Sequence, residues 1–418
     1  MQVSTQKGVW RVKKRIFVKR SRIQSPAEPV FRWHCRSGAF ERLQAPWESV
    51  RILKRTDGND ACYLEDRIEY ALPLGRIGDW AANSLITSKL KRMFDYRHRV
   101  TANDITFHNG PKGDQVMKIL ITGSTGFIGS AVVSFLTAGG HQVSRLVRSK
   151  GTKFQGTEPA ISWNPEEGLL DLGSLEGFDA VVHLAGENIA SGRWTPPRKA
   201  QILESRSKGT RLLSVSLSKL ARPPKVFISA SAIGYYGNRG EEWLNEQSTR
   251  GSDFLATVCH EWEQATTAAF NAGIRVVNLR IGMVLSSAGG ALKRMLTPFR
   301  MGAGGIIGSG RQFMSWISLD ELLGVIQHVL VTDQLKGPVN AVSPIPVTNR
   351  EFTKTLGRVL SRPTVFPLPA FAAKLAFGEM AEALLLSSQR VAPQRLVESG
   401  YNFRLPELEG TLRHLLGK

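Results

Sequence analysis

The stretch Gly123-Ser124-Thr125-Gly126-Phe127-Ile128-Gly129 constrains this chain more than any other. It follows Lys118-Ile119-Leu120-Ile121-Thr122, an apolar run that reads as a buried strand. It precedes a helical stretch with Ile128, Val132, Phe135 and Leu136 on one face, and Gln142 to Val147 then reads as a second strand. Strand, glycine turn and helix within one βαβ unit form a dinucleotide cradle. Gly123 permits the tight turn, Gly126 lets backbone approach a pyrophosphate, and Gly129 lets the helix pack closely. The helix N-terminus offers free N–H groups and a dipole that favours an anion. Thr125, Phe127 and Ile128 join the three glycines as expected cofactor-binding positions.

The end of the second strand selects between nicotinamide dinucleotides. An acid there would hydrogen-bond the ribose 2′-hydroxyl of NAD. This sequence has Arg145, Arg148, Ser149 and Lys150 and no acid. A guanidinium suits a 2′-phosphate, so NADP is the expected cofactor and Arg148 the first choice for holding it.

Beyond this unit, short apolar runs alternate with helical stretches from Met117 to about Val331, the pattern of a parallel sheet. The expected fold is α/β: a doubly wound Rossmann domain over 117–331, then a substrate-side and C-terminal helical region over 332–418. Residues 103–116 are polar and broken by glycine and proline, and read as a linker. Before them, Phe17 to Ile23, Trp47 to Leu53 and Cys62 to Leu72 read as strands. Ser25-Pro26-Ala27-Glu28 opens a helix, and Ile77 to His98 is a longer one. That N-terminal unit, 17–102, is α+β.

Composition narrows the function classes. The net charge is +20, and about half of the excess lies before Asp114. Lys7, Arg11, Lys13, Lys14, Arg15, Lys19, Arg20 and Arg22 come with no acid between them, so residues 1–16 form a basic arm leading into a basic strand. No nucleic-acid motif accompanies the charge, so a solvated arm is favoured over a nucleic-acid partner. No run of about 18 apolar residues exists, so no transmembrane segment is expected. Cys35, Cys62 and Cys259 form no CxxC pair, which argues against a metal site and suits a cytoplasmic location. A small-molecule substrate is the expected partner, and a homodimer is open.

Further motifs carry a resemblance. Val181-Val182-His183-Leu184-Ala185-Gly186-Glu187-Asn188 ends a strand and opens a loop, followed by Arg193-Trp194 and Ser205-Arg206. Ser229-Ala230-Ser231-Ala232-Ile233-Gly234-Tyr235-Tyr236-Gly237, Arg280-Ile281-Gly282, Gly308-Ser309-Gly310-Arg311-Gln312, Gly378-Glu379-Met380-Ala381 and Gly400-Tyr401-Asn402-Phe403-Arg404 complete the set. From Met117 to Leu416 the chain resembles the epimerase-like family of atypical short-chain dehydrogenases/reductases. The N-terminal strands and helix also resemble parts of a START-like helix-grip domain, shortened between about Leu53 and Leu64.

The family resemblance implies an NADP-dependent oxidoreductase or epimerase acting on a small carbonyl or sugar-like compound. It places Ala185 and Gly186 beside the cofactor. Glu187, Asn188, Arg193 and Arg206 fall toward the substrate, with Lys199 and Arg311 nearby; the arginines either clamp an anion or pair with acids. In the wider superfamily a Ser holds the carbonyl oxygen and a Tyr donates the proton, its pKa lowered by a Lys four residues on. Ser231 matches the Ser. The Tyr and Lys places hold Leu255 and Cys259. Two readings follow: Tyr235 or Tyr236 supplies the proton, unless both simply pack under the loop, or the protein is a catalytically weak NADP-binding regulator, for example one linked to cell or plastid division. His183, ending a buried strand, and Cys259, in mid-helix, read as core residues. Gly302-Ala303-Gly304-Gly305 reads as a flexible lid.

Overall fold

An apolar strand hidden on both faces must have helices on both sides, and this requirement shapes the larger part of the chain. The structure, a computed structural model, describes residues 15–23, 48–54, 62–70, 75–108, 116–148 and 159–418. Most of the basic arm, the helix expected from Ser25, and Ser149 and Lys150 lie outside them. The chain divides near Thr106 into two units.

In the first unit, β1 (Arg15–Ile23), β2 (Glu48–Lys54) and β3 (Cys62–Tyr70) form an antiparallel sheet with β3 in the centre. Each strand lies within two residues of its expected place. The helix α1 (Gly75–His108) runs well past His98 and into the stretch read as linker. Phe94, His98, Thr101, Ile105 and His108, spaced four and three apart, are all buried. Three of those five are polar, which hid the stripe from a hydrophobic reading. The Asp66 carboxylate meets His98 Nε2 at 2.6 Å and ties α1 to the central strand.

The second unit is built on β4 (Lys118–Thr122), α2 (Phe127–Ala138), β5 (Gln142–Arg148), β6 (Ala160–Asn164), β7 (Leu169–Leu170), β8 (Ala180–His183), α3 (Pro196–Leu217), β9 (Val226–Ala232), α4 (Phe254–Gln264), β10 (Arg275–Ile281), α5 (Gly290–Arg300), α6 (Leu319–Val331) and β11 (Gly337–Ala341). The strand order is β11-β10-β9-β8-β4-β5-β6-β7, parallel except for the β6–β7 pair. Chain direction across the sheet reverses between β4 and β8, the point where doubly wound sheets open a crevice.

Val132, Val133 and Leu136 of α2 and Leu322, Val325 and Ile326 of α6 pack on one face, over Ile119, Ile121, Val182 and Val277. Leu213 and Leu217 of α3 pack on the other, with Leu120, Val181, Phe227 and Val276. A third core joins Leu292, Leu296 and Phe299 of α5 to Phe352, Leu356, Leu408 and Leu412 of the C-terminal helices. The Gly400–Arg404 motif has a structural task here: Tyr401 donates to buried Glu321 Oε1 at 2.5 Å, and the Arg404 and Leu405 N–H groups donate to its Oε2. Among the described residues no helix is long and apolar enough to cross a membrane.

The glycines of the expected lid are not free. A Cβ on Gly304 would lie 2.5 Å from the Phe299 ring, and one on Gly305 would lie 1.6 Å from the Phe366 carbonyl oxygen. Close packing, not flexibility, requires glycine at these two positions.

Candidate functional site

The glycine turn leaves β4 at Gly123, whose φ is +67°. A Cβ there would sit 2.7 Å from the Leu184 carbonyl at the end of β8, and one on Gly129 would sit 2.1 Å from the Gly123 oxygen. The turn is therefore wedged between β8 and the first turn of α2. Gly126 is the helix N-cap with no side-chain cap, and no acid stands in the first turn. Its own Cβ would touch only the Gly123 oxygen, so the outer side of the turn is open. Thr125 and Gly126 form its exposed crest. Phe127 contributes its backbone, since its ring packs against Gly289 and Gly290. Ile128 is half-buried against the sheet core. Arg145 of β5 donates to the Ser124 carbonyl oxygen at 3.3 Å, placing a cation beside the turn, and Arg148 ends the strand exposed to solvent. These features suit a dinucleotide pyrophosphate on the N–H groups of α2 and a further phosphate beside the β5 arginines.

His183 lies beneath this turn. It is fully buried and hydrogen-bonded at both ring nitrogens, to Thr122 Oγ1 at 2.6 Å and Thr210 Oγ1 at 2.8 Å. Burial lowers its pKa from 6.5 to about 4. The unfolded ring takes up protons that the folded ring refuses. Stability is therefore complete above pH 6.5 and falls as pH drops from 6.5 toward 4, by about 3 kcal/mol in all. Urea titrations across this range should show the loss, and His183→Gln should flatten it; an equally steep profile in the variant would assign the effect elsewhere.

The loop after β8 carries the expected substrate residues, and the structure engages most of them within the protein. Asn188 Oδ1 accepts from the Ala190 N–H at 2.9 Å. Glu187 Oε1 accepts from Arg198 at 3.2 Å. Arg206 donates to the carbonyls of Ile202 and Glu187 and lies 5.0 Å from the Trp262 ring centroid, beneath Gly186. Arg193 donates to the carbonyls of Leu375 and Ala376, and Lys199 pairs with Glu379. Arg193 and Lys199 thus reach the C-terminal region, Arg206 ties the loop to α3, and all three are engaged within the protein. Arg311 is exposed. Gly186 and Asn188 are exposed, while Ala185 is half-buried beside Thr122, whose hydroxyl accepts its N–H.

Ser231, Tyr235 and Tyr236 meet residues that were not singled out from the sequence. Ser231 Oγ donates to Glu263 Oε1 at 2.7 Å. Arg280 clamps the same carboxylate through Nε and Nη2, each at 2.8 Å. Its Nη1 donates to the Tyr236 hydroxyl at 3.0 Å, which donates onward to Asn340 Oδ1 at 2.7 Å. Burial alone would lower the Arg280 pKa, but Glu263 and Tyr236 more than reverse this and keep the cation charged. Burial raises the Tyr236 pKa to about 12 against the pull of Arg280 and Asn340. Tyr236 is fully buried and is a core residue, not a proton donor to a ligand. Tyr235 is half-buried, with Arg280 Cζ 3.5 Å from its ring centroid. One sequence signal was available: Arg280 is a charge inside a buried strand, which demands a buried acid.

Leu255 and Cys259, at the usual Tyr and Lys places, face Gly234. A Cβ on Gly234 would lie 3.3 Å from Leu255 Cβ and 3.6 Å from Cys259 Sγ. Burial raises the Cys259 thiol pKa to about 12, so it is a neutral core residue.

With this geometry in hand, comparison with known proteins is specific. The sequence model of a family described as "NAD dependent epimerase/dehydratase family" matches residues 119–341, and one described as "Domain of unknown function (DUF1731)" matches 368–415. Epimerase family protein Mb2239 of Mycobacterium bovis is 43% identical over 285 residues, 68% of this chain and 93% of that protein. The crystal structure of human epimerase family protein SDR39U1 (isoform 2) with NADPH matches with a TM-score of 0.65 at 36% identity, covering 72% of this chain and 99% of that one. The nucleoside-diphosphate sugar epimerase from Corynebacterium glutamicum gives a TM-score of 0.74 at 29% identity, over 96% of this chain and 90% of that one.

Proposed function

This chain belongs to the NAD dependent epimerase/dehydratase family, and we propose that it is an NADP-dependent oxidoreductase or epimerase acting on a small carbonyl or sugar-like compound. The observation that carries the reading is the open, acid-free glycine turn with Arg145 beside it and Arg148 ending the same strand. The N–H groups of α2 would hold the pyrophosphate, and the β5 arginines the 2′-phosphate. Bound there, NADP would supply hydride transfer at a substrate carbon. NADPH in the human relative is in accord with this choice.

The chain's own residues define the rest of the site. Ser231 presents its hydroxyl to Glu263, so it can accept a hydrogen bond from a ligand only with its remaining lone pairs. Tyr235 is the candidate proton donor that remains after Tyr236 is assigned to the core. Isothermal calorimetry should show NADPH binding at least about tenfold tighter than NADH, with Arg148→Ala removing most of the difference. Equal affinities in the unaltered protein would remove the NADP assignment.

A second reading, a weakly catalytic NADP-binding regulator, draws on the apolar Leu255 and buried Cys259 where the superfamily carries its acid and cation. NADPH binding without turnover across a carbonyl and sugar-nucleotide panel would favour it.

A further inference from the structure

Large apolar side chains at a protein surface are ordinary when scattered and informative when gathered. Among the described residues the five most exposed are Met301 (77%), Leu375 (76%), Phe371 (74%), Val365 (66%) and Phe366 (64%). They stand on two adjoining segments. Arg362 Nε donates to the Arg300 carbonyl, the Leu368 N–H donates to Ile306, and the Gly308 N–H donates to Leu368. Residues 300–308 and 362–368 are thus zipped together, and a short helix, α7 (Ala370–Phe377), follows directly, with only Ala373 buried. Phe371 and Leu375, four apart, share one face of α7.

The charge on these two segments is predominantly basic, and the acids just beyond them, Glu379 and Glu382, pair with Lys199 and Lys374. No acidic residue occurs from 264 to 319 or from 352 to 378. Lys293, Arg294 and Arg300 line the exposed face of α5 leading to Met301, while its Leu292, Leu296 and Phe299 are buried. Arg362 and Lys374 lie exposed in the second segment, Lys374 paired with exposed Glu382.

We propose that this face docks on an anionic lipid bilayer. The apolar side chains enter the interface between headgroups and acyl chains, and the basic rim faces the lipid phosphates and carboxylates. A second copy of the chain would bring two basic rims together, which opposes self-association through this face. The attachment is peripheral, since no described helix can cross a membrane. This surface adjoins the loop after β8, where Arg193 donates to the Leu375 carbonyl and Arg294 to that of Ala190, but the proposal does not depend on the cofactor reading.

The test is co-sedimentation of the full chain with phosphatidylcholine vesicles, with and without phosphatidylserine. The protein should pellet with the serine-lipid vesicles and much less with phosphatidylcholine alone. Phe371→Ser with Leu375→Ser should weaken partitioning at least about tenfold, with an unchanged circular dichroism melt because both side chains are exposed. Lys293→Glu with Arg300→Glu should weaken binding to the anionic vesicles selectively. Recovery no greater than in vesicle-free controls overturns the proposal. So does a Phe371→Ser/Leu375→Ser protein that pellets like the unaltered one, which would move binding to the basic N-terminal strand. A dimer in light scattering that this double variant dissolves, without lipid binding, also overturns it and gives the face to a second copy.

Discussion

Arg280→Met should lower the free energy of unfolding by about 3–5 kcal/mol, read from urea melts at neutral pH. The Arg280 side chain is 3% exposed and that of Glu263 10%. Removing the cation leaves a nearly buried carboxylate facing one hydroxyl, and it also strips the Tyr236 hydroxyl of a donor. The cost comes from the partner left behind more than from the attraction lost. Combining Arg280→Met with Glu263→Leu should therefore recover part of the loss, because no orphaned charge remains. A single variant within about 1 kcal/mol of the unaltered protein would mean that water reaches Glu263, and the network would then be a solvated part of the site.

That network also marks where the sequence stopped being informative. Gly126 and Gly129 were legible because the Gly123 carbonyl they approach is a near neighbour: strand, turn and helix lie within one short stretch. The doubly wound sheet was legible for a similar reason, since alternating apolar runs and helices have few other ways to bury themselves. Whether Tyr236 donates a proton or packs under the loop stayed open in the sequence because its partners, Arg280 and Asn340, lie 44 and 104 residues away. Whether Arg193 and Arg206 clamp an anion or pair within the protein, and what meets Lys199, stayed open in the sequence because the carbonyls and carboxylate that engage them come from packing. Arg193, for example, reaches Leu375 across 182 residues. The glycines at 304 and 305 read as part of a flexible lid, and only the Phe299 ring and the Phe366 carbonyl against them show the close packing. Residue type reports the chemistry a side chain can do, while the partner that uses up that chemistry is set by topology.

Gly129→Ala should lower NADPH affinity about a hundredfold, roughly 2.7 kcal/mol, while leaving the protein folded. The added methyl would stand 2.1 Å from the Gly123 carbonyl oxygen and 2.7 Å from its carbon, so one of them must move. Gly123 has no room to retreat, because a Cβ on its far side would meet Leu184 at 2.7 Å. The start of α2 has to lift instead, and it carries the N–H groups that would meet the pyrophosphate. Hydrogen bonds weaken steeply when distance and angle both worsen, so a shift of about 1 Å is enough to lose several of them. Gly168→Ala is the matched control: its φ is +71°, yet nothing lies within 4 Å of the new methyl. It should cost about 1–2 kcal/mol of stability through backbone strain and leave NADPH affinity unchanged. If both variants bind NADPH like the unaltered chain, the turn is not where the pyrophosphate sits. If both lose affinity equally, the loss reflects general destabilisation and the turn has no special claim. Loss in Gly129→Ala alone would tie affinity to one contact between a helix and the carbonyl beneath it.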